Sequence, residues 1–126
     1  MKKGILTQNG VHLKPHEYAT VKLLLENGYD VELIPTSGIK GLRMPDIMMS
    51  GVAWEIKSPV GNGKKTLKNA VQNASHQSSN IIIDLRRCKI SEPSAIKDLE
   101  RYFTLSRRLK RMKIVTKEQK ILDFHK

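Results

Sequence analysis

The stretch Asn80-Ile81-Ile82-Ile83-Asp84-Leu85 constrains this chain more than any other. Side chains alternate between the two faces of a strand, so an unbroken apolar run has to be covered on both sides. Such a strand asks for helices above and below a sheet. The expected class is therefore α/β, a mixed central sheet flanked by helices. At 126 residues the chain suits one compact domain, and a single domain over residues 1–126 is the expectation.

The flanking pattern agrees. Pro15 opens a helical segment that Gly28 closes, with Tyr18, Val21, Leu24 and Leu25 at core spacing. Residues 1–12 carry little periodic signal and read as a tail or a loosely docked arm. Residues 29–34 alternate as a strand ended by Pro35, and residues 36–44 read as an exposed, mobile loop. Residues 45–49 and 52–57 form a hairpin across Ser50-Gly51. Residues 64–78 are helical, with Leu67, Ala70, Val71 and Ala74 on one side. A further helix starts at Ser91 and Pro93, breaks near Thr104 and restarts through Leu105, Leu109 and Met112. Lys113–Thr116 and Gln119–Leu122 close the chain as a hairpin. The order is α-β-β-β-α-β-α-β-β.

Composition excludes several function classes. Cys88 is the single cysteine, which rules out a disulfide framework and a cysteine-based zinc site. It stands between Arg87 and Lys89 and is expected as an exposed thiol without a catalytic role. No apolar run reaches the ~20 residues of a membrane span, and the start turns polar at Thr7, too early for a signal peptide. The formal charge of +11 points to a polyanionic partner, since cations that neutralise phosphates release condensed counterions. The excess is uneven: +3 over residues 1–85 and +8 over residues 86–126. Aromatics make up only 5 % of the chain, too few to supply a base-stacking platform, so contact with backbone phosphates is the better match.

Chemistry concentrates on the hairpin. Glu55 and Lys57 share one strand face about 6.6 Å apart. Asp46 heads the preceding strand, where its carboxylate can converge with that of Glu55. Two such carboxylates make an oxygen-ligand site for Mg²⁺ or Mn²⁺ that leaves positions open for water and a phosphate oxygen. Lys57 is placed to orient the attacking water or to offset charge on the phosphorane. Glu17 lies on or beside the apolar stripe of the first helix, where a carboxylate needs a partner or a job. It can supply a further carboxylate. Each feature also has a plain reading: Glu-x-Lys occurs as a solvated strand face, and Pro-Asp before a strand occurs as a turn device.

Taken together, Pro45-Asp46, Glu55-x-Lys57 and the helix–three strands–helix–strand order over residues 15–85 resemble the PD-(D/E)xK nuclease superfamily, with its restriction-endonuclease-like core. A narrower resemblance runs through Leu13-Lys14-Pro15-His16-Glu17, Gly28-Tyr29-Asp30-Val31-Glu32, Pro45-Asp46-Ile47, Trp54-Glu55-Ile56-Lys57-Ser58-Pro59 and Gln77 to Leu85. These segments are similar to the C-terminal toxin domains of contact-dependent growth-inhibition effectors of the CdiA type. That resemblance implies a tRNA-cleaving nuclease acting in the cytoplasm of a target bacterial cell and neutralised by a cognate immunity protein. It implies catalytic roles for Asp46, Glu55 and Lys57, with Glu17 as the helix-borne acid. So basic a toxin calls for an immunity protein with an acidic face. The delivery route is not visible in the chain.

Substrate contacts are expected from Lys40 and Arg43 in the loop, Lys64 and Lys65 before the second helix, and Gln77 at its end. The densest basic run, Arg107, Arg108, Lys110 and Arg111 with Lys113, is placed on the late helix and its exit. Two alternatives stay open. His16, expected as a surface residue, and His76 keep a metal-independent ribonuclease of the barnase or colicin type in view. A non-catalytic, basic nucleic-acid-binding module, with Glu55 and Lys57 as a surface ion pair, is the other.

Overall fold

The structure, a computed structural model, describes residues 2–126. Its elements are β1 (Leu6–Thr7), α1 (Pro15–Glu26), β2 (Val31–Leu33), β3 (Ile47–Met49), β4 (Val52–Lys57), α2 (Thr66–Ser75), β5 (Asn80–Asp84), α3 (Glu92–Leu105), β6 (Arg111–Val115) and β7 (Ile121–His125). All seven strands form one mixed sheet, in which spatial order follows chain order. β1 runs parallel to β2, and β4, β5 and β6 run parallel to one another. β3 and β7 are antiparallel to their neighbours.

The isoleucine run behaves as its composition requires. Ile81 and Ile83 pack in one cluster with Leu67, Val71 and Ala74 of α2 and Leu99 and Phe103 of α3. Ile82 points the other way, into a cluster with Val21, Leu23 and Leu24 of α1. All three are fully buried, each contributing about 1.5–3 kcal/mol relative to an exposed side chain. α1 therefore covers one face of the sheet, while α2 and α3 cover the other. The close seating of α2 follows from Ala70 and Ala74 on its buried side.

Some expectations change. The first residues are not a loose arm. Leu6 and Thr7 pair with Val31 and Glu32, and Ile5 N–H donates to Asp30 Oδ1 at 2.8 Å. Gly4 N–H donates to the Leu25 carbonyl at 2.8 Å, and a β-carbon at Gly4 would collide with the Tyr29 carbonyl. A two-residue strand has too short a period to announce itself. On α1, Tyr18 is exposed, and Thr20 and Leu23 take the core positions. Thr20 qualifies because its hydroxyl has a buried partner, described below.

α2 begins at Thr66 rather than residue 64, which leaves Lys64 and Lys65 in the preceding segment. Cys88 is buried, its thiol 3.7 Å from the Gly61 carbonyl, so the expectation of an exposed thiol fails. α3 ends at Leu105 and does not restart. The Ser106 hydroxyl accepts from the N–H groups of Arg108 and Leu109, turning the chain into β6. The basic run thus lies on a connection and a strand, not a helix. The last hairpin pairs Val115 with Ile121 and Arg111 with His125, so its second strand starts later than expected.

Lys113 is the clearest reversal. Although part of the basic run, it is buried on β6, ion-paired with its cross-strand neighbour Asp123. Its ammonium bonds the Tyr29 hydroxyl at 3.2 Å and lies 4.8 Å from the Tyr29 ring centroid and 5.4 Å from that of Trp54. A carboxylate, a phenol and two aromatic faces replace its hydration, which removes it from any phosphate-binding surface.

Candidate active site

The β3–β4 hairpin is built around Ser50 and Gly51, both at positive φ (55° and 79°), as a two-residue turn matching the strand twist requires. This turn sets Ile47 opposite Trp54. One step outward, Asp46 N–H donates to the Trp54 carbonyl at 3.0 Å, and Asp46 Oδ2 accepts the Ile56 N–H at 2.8 Å. The carboxylate thus stands in for a main-chain carbonyl at the strand end. That is the turn-device reading, and it accounts for one oxygen only. The Asp46 carboxyl group also lies close enough to Glu55 for each charge to act on the other.

Glu55 is 4 % exposed. It pairs laterally with Ile81, which places it on the face covered by α2 and α3. Lys57 follows on the same face, opposite Ile83, with Nζ 3.5 Å from Glu55 Oε2. Burial first, and then the charge of Asp46, push the Glu55 carboxyl up to about 7, while Lys57 pulls in the opposite direction. Burial also raises Asp46. The Ile56 N–H opposes that, Glu17 adds repulsion, and the contact with Glu55 and the charge of Lys57 lower it. The two carboxyl groups therefore titrate as a pair, and burial with mutual repulsion makes ionising both of them costly.

Two buried side-chain oxygens have no hydrogen-bond partner among the described residues, Glu55 Oε1 and Ser58 Oγ. They sit three residues apart on one stretch of chain. Ser58 was not identifiable from sequence, because a serine after a strand normally signals only a turn.

Glu17 meets the other acids only at range. Its Oε1 accepts the Lys14 N–H at 3.0 Å, capping the first turn of α1. That is the partner its position demanded. Glu17 is also near enough for its charge to raise Asp46, although α1 packs on the other face of the sheet. Among the described residues, no group of three or more His, Cys, Asp and Glu side chains is arranged to hold a metal ion.

The expected substrate contacts divide into separate places. Arg43 and Gln77 line one cavity of about 430 Å³ together with Gly41, Leu42, Asn73 and His76. Arg107 and Arg108 line a larger groove between α2 and α3. Arg111 starts β6 and donates to Asn80 Oδ1 at 3.2 Å. Lys40, Lys64, Lys65 and Lys110 are exposed and line neither space. His76 is, with His16, a candidate for the metal-free alternative. Its Nδ1 lies 2.7 Å from Arg108 Nη1, and since arginine only donates, that nitrogen is the acceptor.

No helix among the described residues is long and apolar enough to cross a membrane. Comparison with solved structures finds a chain of the CdiA-CT/CdiI toxin and immunity complex from Burkholderia pseudomallei, at a TM-score of 0.72 and 18 % identity, over 98 % of this chain and 100 % of that one. At that identity the likeness is one of fold. No curated protein matches. The family pattern described as "Contact-dependent growth inhibition CdiA C-terminal domain" matches residues 43–121, from Arg43 through the whole β3–β4 hairpin to the first residue of β7. With more than half of its length matched, this chain belongs to the CdiA C-terminal domain family of contact-dependent growth inhibition.

Proposed function

We propose that this growth-inhibition domain is a metal-dependent nuclease of the PD-(D/E)xK type that hydrolyses RNA phosphodiester bonds, with tRNA as substrate, in the cytoplasm of a target bacterial cell. The observation that carries the reading is the pair of carboxyl groups of buried Glu55 and half-buried Asp46, whose charges oppose each other, with Lys57 beside them. Two carboxyl groups are held together at a cost, and one oxygen of Glu55 is left without a partner among the described residues. A solvated surface ion pair would show neither feature.

The residues fit a divalent cation. A hard cation prefers carboxylate oxygens, and binding one would relieve the repulsion between Asp46 and Glu55 and satisfy Oε1. Bound there, Mg²⁺ or Mn²⁺ would polarise a phosphoryl oxygen and lower the pKa of a coordinated water. The remaining roles belong to the chain. The Ile56 N–H fixes the Asp46 carboxylate, so its orientation survives before substrate arrives. Lys57 offsets negative charge building at the phosphorus and holds the attacking water by donating to it. Glu17 adds negative charge that favours a cation at Asp46. Arg43 and Gln77 hold the RNA backbone along their shared cavity.

The surplus of cations also supports an immunity protein with an acidic face as partner, associating fast and in a salt-sensitive manner. Calorimetric titration with Mg²⁺ and Mn²⁺, paired with cleavage of tRNA, single-stranded RNA and duplex DNA, tests the reading. Metal binding that disappears in Asp46→Ala and Glu55→Ala, together with chelator-sensitive RNA cleavage, is the expected result. Cleavage that persists in chelator and leaves a 2′,3′-cyclic phosphate would establish the metal-independent alternative instead.

A further inference from the structure

The groove between α2 and α3 encloses about 600 Å³ and is lined by Lys68 and Gln72 of α2, Arg101 and Tyr102 of α3, and Arg107 and Arg108 beyond it, among others. Four cations face this one space, and no carboxylate lines it among the described residues. Lys68 and Arg101 were not among the substrate contacts expected from sequence, since they stand singly on two helices far apart in the chain. The Arg101 guanidinium carbon lies 5.2 Å from the Tyr102 ring centroid, and Nη2 donates to the Tyr102 hydroxyl at 3.4 Å. The ring, and Asp98 Oδ1 at 3.7 Å from Nη2 outside the lining, hold this planar donor at the groove wall, the ion pair being exposed and weak enough for a phosphate to displace.

The groove also connects to the hairpin side of the molecule. Arg108 lines it and contacts His76 at 2.7 Å. His76 in turn lines the cavity of Arg43 and Gln77, and Arg43 is three residues before Asp46. Cations therefore stand on either side of the end of α2, Arg43 in the loop that leads to Asp46 and Arg108 in the groove, with His76 between them. A path of this kind suits a continuous polyanion better than a single small anion, because each member contacts a successive charge.

We propose that the α2–α3 groove is a second binding site for the RNA backbone, an exosite that grips the substrate away from the bond being cut. It rests on the reading of this chain as an RNA nuclease. Its signature is dependence on substrate length: full-length tRNA reaches the groove, whereas a short oligonucleotide filling only the carboxylate site does not.

The test uses the full chain carrying Glu55→Gln, which blocks cleavage, with and without Lys68→Glu/Arg101→Glu. Both added positions are exposed, so the fold is expected to persist, and the milder Lys68→Ala/Arg101→Ala pair serves if it does not. Labelled tRNA binding is measured across a salt series. The charge-reversed protein is expected to bind tRNA at least tenfold more weakly, with a salt slope shallower by about 1.5, the share of two phosphate contacts. In the cleaving background the same pair should raise KM for tRNA and leave cleavage of a short oligonucleotide unchanged. Unaltered tRNA affinity and salt slope would overturn the exosite. So would loss of affinity for an acidic immunity protein with tRNA binding intact, which would assign the groove to a protein partner. If the parent chain binds tRNA but cuts nothing, the nuclease reading fails while the salt series still decides the groove.

Discussion

Glu55 and Asp84 are both 4 % exposed, on the neighbouring strands β4 and β5. Asp84 lies on the α1 face and is saturated. It accepts the Thr20 hydroxyl at 2.6 Å, the Arg86 N–H at 3.0 Å and the Arg86 guanidinium at 2.8 Å. Glu55 lies on the opposite face, against another acid, with one oxygen unpartnered among the described residues and its carboxyl pushed up to about 7. Both positions carry a costly buried acid, but only at Asp84 does the fold provide full compensation. A buried acid with every oxygen bonded holds a fold together. One left under-bonded beside a second acid is suited to bind something.

The sharpest way to break this contrast is to neutralise each acid in turn. Glu55→Gln is expected to reduce RNA cleavage by about 10³-fold or more, measured by single-turnover kinetics. The same change should raise the melting temperature at pH 8 without metal, because it removes the repulsion with Asp46. A destabilised Glu55→Gln protein would end the comparison. Asp84→Ala should do the reverse, costing about 3 kcal/mol in urea denaturation as Arg86 loses its buried partner. Its folded fraction should cleave with kcat little changed.

Acidity offers an intermediate effect. Between the unfolded value of 4.5 and about 7, folded Glu55 holds a proton that the unfolded chain has lost. The folded state binds more protons there, so stability falls as pH rises through that window and levels off above it. The shift corresponds to about 3 kcal/mol at full strength, and with solvent screening a loss of about 2 kcal/mol between pH 4.5 and 7.5 is expected in metal-free protein, read by denaturation at a series of pH values. Metal affinity should climb over the same range, since the cation competes with protons for the carboxylates. The smallest effect is Thr20→Val, which removes one hydrogen bond to Asp84 and keeps the side chain's shape. A cost of about 1 kcal/mol is expected, with Arg86 still holding the carboxylate.

Much of the architecture was legible because the signals behind it are local. The isoleucine run, the Ser50-Gly51 turn and the alternation of Glu55 and Lys57 each depend on a few adjacent residues, and each appears in the structure. β1 escaped because two residues cannot display a period. The end of α3 escaped because Leu105, Leu109 and Met112 keep a plausible helical phase, whereas the Ser106 hydroxyl turns the chain out of it. At the site, Asp46, Glu55 and Lys57 were found together. Glu17, expected to need a partner, caps the first turn of α1 by accepting the Lys14 N–H.

By itself, then, the sequence determined the class of fold, the face shared by Glu55 and Lys57, and the surplus of positive charge, since these follow from two- and four-residue periods and from composition. Only the tertiary structure decided how each buried charge is used. Asp84 is satisfied by Thr20, 64 residues earlier, and Lys113 contacts Tyr29, 84 residues earlier. Lys68 and Arg101 become neighbours only when α2 packs beside α3. The energy of a buried or clustered charge depends on the groups within a few ångströms, and those groups are brought there by folding rather than by position in the chain.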